Sequence, residues 1–148
     1  MHNPSVVSPW LAWLPLFSVL GYAAWCDIRT GLIPRWTSMA LILWAFFMHH
    51  MGTMTVFMLS PLIVCSVLLA LYALFFYTRN RVIFGGGDLK LITSCAFVIH
   101  PTDVGLWMLL MGLGTLATRP LYATPYTPMC PVIAISTAII VCKGFILF

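Results

Sequence analysis

Two aspartates stand out because the chain has almost no other acids: three Asp and no Glu among 148 residues. Asp88 follows three consecutive glycines in Phe84-Gly85-Gly86-Gly87-Asp88-Leu89-Lys90, and Asp27 lies in Cys26-Asp27-Ile28-Arg29-Thr30-Gly31-Leu32-Ile33-Pro34. Both sit at the edges of long apolar segments, where a carboxylate is costly and by default marks a function. Two carboxyl groups held within a few ångströms share one proton near neutral pH, because the second ionises against the charge of the first. The charged member can take a proton from water while the protonated member donates to a carbonyl oxygen, the acid and base pair that peptide hydrolysis needs. The run of Gly85, Gly86 and Gly87 lets the backbone pass close to the Asp88 carboxylate.

No other set of residues offers comparable chemistry. Ser5 and Ser8 lie in the N-terminal lead, and no Ser or Cys stands with a His in a nucleophile motif. The cysteines at 26, 65, 95, 130 and 142 have no CxxC spacing and read as packing residues, so neither a metal nor an organic cofactor is expected. His49 and His50 are adjacent and point in different directions on a helix, which makes them an interfacial pair. Asp103, after Pro101-Thr102, reads as a helix cap. Lys90 falls on a different helix face from Asp88 and reads as a snorkelling anchor beside the site. Gly105, Gly112 and Gly114 are expected to allow close helix packing. From the helix dipole, Asp88 at a helix N-terminus is expected to be the ionised base and Asp27 at a C-terminus the protonated partner, unless Arg29 stabilises a charge on Asp27.

The elements that must position these acids are strongly apolar. The chain is 62% hydrophobic and 7% charged, with a mean hydropathy of +1.05, outside the balance of a soluble domain. The expected fold is all-α, a single polytopic membrane bundle over residues 1–148 with about six transmembrane helices, since each span takes about 20 residues. Leu62 to Tyr77 is nearly continuous apolar sequence without alternation, which excludes a strand barrel. The net charge of +4 rests on a few scattered residues, a topology signal and not a nucleic-acid footprint. The stretch before the first span has no Lys or Arg, so no cleavable signal peptide is expected.

In order, spans are expected over 9–26, 37–51, 54–77, Asp88 or Leu89 to His100, Thr102 or Asp103 to about 117, and 132–148. Trp10, Trp13 and Trp25 read as interfacial anchors, and Pro15 as a kink. Asp27 to Trp36 reads as a loop closed by Pro34, with Thr37 and Ser38 as caps of the second span. The fourth span is short, so either the bilayer thins here or the start of this helix lies below the membrane surface, which would place Asp88 in a partly buried cleft. Arg29, Arg35, Arg79, Arg81 and Arg119 follow spans one, three and five, so both aspartates fall on the cytoplasmic side. Lys143, within the last span, does not fit and needs to snorkel or find a partner.

These motifs resemble those of the type IV prepilin peptidases, the GxGD-type aspartic proteases of bacterial pilus and type II secretion systems. Gly85-Gly86-Gly87-Asp88-Leu89-Lys90-Leu91 matches the GxGD motif with its following Lys-Leu; Asp27-Ile28-Arg29 with Ile33-Pro34 matches the motif around the first catalytic Asp; Pro125-Tyr126-Thr127-Pro128 resembles a proline-rich motif near the last span. The resemblance covers about residues 20–148. It implies that Asp27 and Asp88 are catalytic, with Gly85, Gly86, Gly87, Lys90 and Pro34 supporting the loops or the substrate. It also implies a prepilin or pseudopilin substrate, cut at the cytoplasmic face of the bacterial inner membrane just before its hydrophobic helix. Membrane lipid is then the surrounding medium, and nucleic acid is not a partner. The chain resembles the short form without the paired-CxxC segment, so methylation of the new N-terminus is not expected. Arg35 and Thr127 depart from the Asn and Gly common in relatives and bear on substrate fit. The alternative from another class is a membrane assembly subunit or an ion- or proton-coupled small-solute transporter, whose carboxylates would sit near the bilayer midplane.

Overall fold

The computed structural model of the chain describes residues 9–50, 58–79, 85–121 and 128–146. These form six α-helices and two short 3-10 turns, with no strand among the described residues: α1 (Pro9–Thr30), α2 (Arg35–His50), α3 (Leu59–Arg79), α4 (Gly86–Ala96), α5 (Val104–Thr118) and α6 (Cys130–Ile146). Ser5, Ser8, Arg81, Phe84, Pro125, Tyr126 and Thr127 lie outside the described residues.

The helices follow the apolar segments, but several boundaries differ from the sequence reading; α3 ends at Arg79 instead of Tyr77, and α6 starts at Cys130 instead of Val132. α1 does not stop at Cys26. It runs one turn further, and Asp27 lies inside its last turn, not in a loop. Gly31 terminates α1 with a φ of 65°, and its N–H donates to the Asp27 carbonyl at 2.9 Å, an αL cap that only a residue without a Cβ adopts cheaply. α2 starts at Arg35, so Thr37 is not its cap but a buried residue whose hydroxyl donates to the Pro34 carbonyl at 2.7 Å. α4 stops at Ala96, and its 11 residues reach about 16 Å.

Consecutive helices run up and down. At one end the start of α3 meets the end of α4, where the Ser60 hydroxyl donates to the Ile99 carbonyl at 2.6 Å. At the same end Lys143 of α6 reaches Asp103, which precedes α5, at 2.6 Å. Lys143 thus has its partner. Asp103 occupies the N-cap position of α5, but its side chain makes no capping bond and serves the lysine instead. At the opposite end the last turn of α1 meets the first turn of α6.

α4 is the inner helix, packed on α2, α3 and α6. Leu91, Ile92 and Cys95 on it join Leu16, Leu20 and Ala23 of α1, with Trp107 of α5 and Ile133 of α6, in one core. The fully buried Trp107 indole donates to the Thr137 hydroxyl at 3.2 Å, which satisfies a polar atom that burial would otherwise penalise. Gly114 allows the expected close approach, since a Cβ there would stand 2.6 Å from Val132 Cγ1. Gly105 and Gly112 do not, because nothing lies within 4 Å of theirs. Cys95 and Cys130 are buried free thiols, as packing cysteines should be, whereas Cys65 is exposed. Among the described residues no helix is long and apolar enough to cross a membrane.

Candidate active site

Both aspartates are buried at one end of the bundle, Asp27 at 1% and Asp88 at 7% exposure. Their environments differ. The Asp27 side chain leaves the last turn of α1 and its Oδ2 accepts the Cys130 main-chain N–H at 3.0 Å. Cys130 is the first residue of α6, so its amide is one of the donors that a helix start leaves without an intrahelical acceptor. A carboxylate from the far end of the sequence fills that role.

Asp88 lies in the first turn of α4, ahead of the apolar part of that helix, on the wall of an open cavity. Its Oδ2 accepts the Gly85 N–H at a long 3.3 Å. Its Oδ1 is buried with no hydrogen-bond partner. Burial, and then the charge of Asp27, push the Asp88 carboxyl up to about 6, with the Gly85 amide opposing. The two acids, far apart in sequence, are thus brought to the same end of the bundle by the last turn of α1 and the first turn of α4. The dipole of α4 favours a charge on Asp88, whereas its burial opposes one.

The cavity, about 360 Å³, is lined by Gly31, Leu32, Ile33, Pro34, Arg35 and Ser38 on one side and by Gly85, Gly86, Gly87, Asp88 and Lys90 on the other. The two sequence motifs therefore face each other across it. Asp88 is on its wall, whereas Asp27 is not. The three glycines have separate roles: a Cβ on Gly85 would stand 3.1 Å from Asp88 Oδ2, one on Gly87 would meet Ile33 at 3.5 Å, and one on Gly86 would meet nothing within 4 Å. Lys90 and Pro34 line the cavity as well, with Lys90 exposed. The Arg29 guanidinium lies 4.1 Å from the centre of the Trp25 ring, and the α6 amide meets the Asp27 carboxylate.

Sequence reasoning missed Gly31, Ser38 and Cys130. Gly31 carried a readable signal, a glycine just after an apolar helical run. Cys130 carried none, because its contribution is a main-chain N–H.

A model of the type IV leader peptidase family matches residues 14–142, most of the chain and including both aspartates. No curated protein and no solved structure matches the chain.

Proposed function

The chain belongs to the type IV leader peptidase family, and on that premise we propose that it is an aspartic endopeptidase in which Asp27 and Asp88 share the catalytic proton. The observation that carries this reading is the burial of both motif carboxyl groups at one end of the bundle, with Asp88 raised first by its burial and then by Asp27. In such a pair one carboxylate accepts a proton from water as the water oxygen bonds to the scissile carbonyl carbon, and the other carboxyl donates to the carbonyl oxygen. Collapse of the resulting diol breaks the C–N bond as a proton passes to the leaving amine.

The substrate of this reading is a prepilin or pseudopilin, whose leader is cut where it meets an apolar helix. The extended backbone around a scissile bond fits a cavity bounded by two glycine-containing loops, where main chain can approach main chain. The protein is read as a multi-pass bundle of the bacterial inner membrane with the cavity facing the cytoplasm. Support comes from the exposed flanks, where Leu43, Leu62, Leu69, Leu109, Leu116 and Ile135 face outward along the helices, an apolar surface suited to lipid and not to water. Arg29, Arg35 and Lys90 lie near the cavity end, as the positive-inside rule requires of the cytoplasmic side. A transporter would hold its acids between helices near the midplane, whereas these stand at helix ends.

The test is leader cleavage in membranes containing the wild type, Asp27→Asn, Asp88→Asn or Asp103→Asn. The probe is a membrane-inserted polypeptide with a short basic leader ahead of an apolar helix. Loss of cleavage in the first two variants alone supports the reading, and normal cleavage in both removes it.

A further inference from the structure

The sequence left open which acid carries the charge, and the helix dipoles of α1 and α4 alone favour Asp88. We propose the reverse: the first turn of α6, through the Cys130 main-chain amide, holds Asp27 as the charged member, so that Asp27 is the general base and Asp88 the general acid. This assignment rests on the aspartic-peptidase reading above, and Cys130 acts in it as a positioning residue.

Both acids are buried, so the donors around each decide between them. Asp27 Oδ2 accepts an amide at 3.0 Å from the start of a 17-residue helix, where N–H groups and the dipole both favour an anion. That positive end offsets the unfavourable C-terminal end of α1 on which Asp27 stands. Asp88 accepts one long bond on Oδ2, and its Oδ1 is buried without a donor, an arrangement costly for a carboxylate and much less so for a neutral carboxyl. The neighbouring titratable groups do not reverse this. The titratable groups that act on Cys130 are Asp27 and Cys26 of α1 and Asp88 and Cys95 of α4, none of them a cation. Among the nearby cations, Arg29 is turned onto Trp25; Arg35 and Lys90 line the cavity with Asp88 and would favour a charge there, yet burial and Asp27 prevail over them and raise Asp88.

The proton balance closes with these roles. Asp27 takes a proton from water as its oxygen bonds to the carbonyl carbon, and Asp88 gives its proton to the carbonyl oxygen. Asp27 then protonates the leaving amine as the C–N bond breaks, and Asp88 recovers a proton from the diol. Both acids return to their starting states.

The experiment uses the scarcity of acids in this chain. Aspartate labelled with 13C at the side-chain carboxyl gives three signals from the full-length protein in micelles, one for each Asp, assigned with the three Asp→Asn variants. On lowering the pH of the wild type, Asp88 is expected to take the first proton of the pair while Asp27 stays ionised; the opposite order overturns the proposal. Cys130→Pro removes the donor at a helix start, a position where proline is well accommodated. In it Asp27 is expected to compete with Asp88 for the first proton, and the acidic limb of the pH–rate profile to move to higher pH. Cys130→Ala, which restores the amide, is expected to restore the order and the profile. An unaltered order in Cys130→Pro also overturns the proposal. The Asp103 signal reports whether that variant is folded, and if it is not, the wild-type order alone decides. Because the titration needs no substrate, it remains decisive for the charge assignment even if Asp27→Asn and Asp88→Asn both cut normally and the peptidase reading fails.

Discussion

Gly87 faces the side chain of Ile33, so that a Cβ on the glycine would lie 3.5 Å from Ile33 Cβ. This contact joins the two aspartate-bearing motifs directly, the second pressing against the turn that follows the first. It sets the width of the cavity between them, and it makes the glycines unequal.

Alanine substitution should therefore rank the three glycines. At Gly86 the new methyl meets open space, and cleavage should stay near wild type. At Gly87 it makes an ordinary contact with Ile33, with a small effect. At Gly85 it stands 3.1 Å from Asp88 Oδ2, and displacing that carboxyl should lower cleavage by about tenfold or more, since small misplacements of catalytic groups have large effects on rate. Initial cleavage rates of the three variants, normalised to protein inserted in the membrane, check the order.

Gly31→Ala should destabilise the protein by about 1 kcal/mol, because a Cβ is strained at a φ of 65°. Its N–H closes the last turn of α1 on the Asp27 carbonyl. Activity should therefore fall together with thermal stability in detergent.

The Asp88 carboxyl gives stability a pH dependence of defined sign. Its ordinary value of 3.8 applies to the unfolded chain, and the folded value is about 6. The native state thus binds this proton more tightly. Its contribution is fully present below the unfolded value, is lost as pH rises towards about 6, and is flat above. Asp88→Asn should remove this decline, visible as a flatter plot of melting temperature against pH.

Gly114→Ala should push α5 from α6, as its methyl would stand 2.6 Å from Val132 Cγ1; overpacking of this kind costs about 1–3 kcal/mol. Val132→Ala in the same chain makes room. The double variant should be more stable than the sum of the single losses predicts, as measured by a double-mutant cycle of thermal unfolding.

The Lys143–Asp103 pair is close, at 2.6 Å, but its side chains are 42% and 25% exposed. Solvent screening should hold its contribution to about 1 kcal/mol or less. Asp103→Asn should lower the melting temperature slightly and leave cleavage unchanged, since the pair lies at the end of the bundle away from the cavity. Exchanging the two charges should restore the melting temperature.

The sequence by itself determined the helical class, the approximate limits of the helices, and the two acids worth attention. Apolar runs broken by glycine, proline and charge are local signals, and acids among them are conspicuous because burying a carboxylate is expensive. The shortness of α4 and the need of Lys143 for a partner were legible for the same reason. Tertiary structure decided the rest: that Asp27 closes a helix where a loop was expected, that Asp88 lines the cavity while Asp27 is buried against the start of α6, and that Gly114 but neither Gly105 nor Gly112 brings helices together. It also decided the surroundings of the two charges. The donor to Asp27 is the backbone of a residue 103 positions away, and every non-proline residue has such an amide. Side-chain identity therefore carries no trace of the contact that separates the two acids; only the meeting of α1 and α6 creates it.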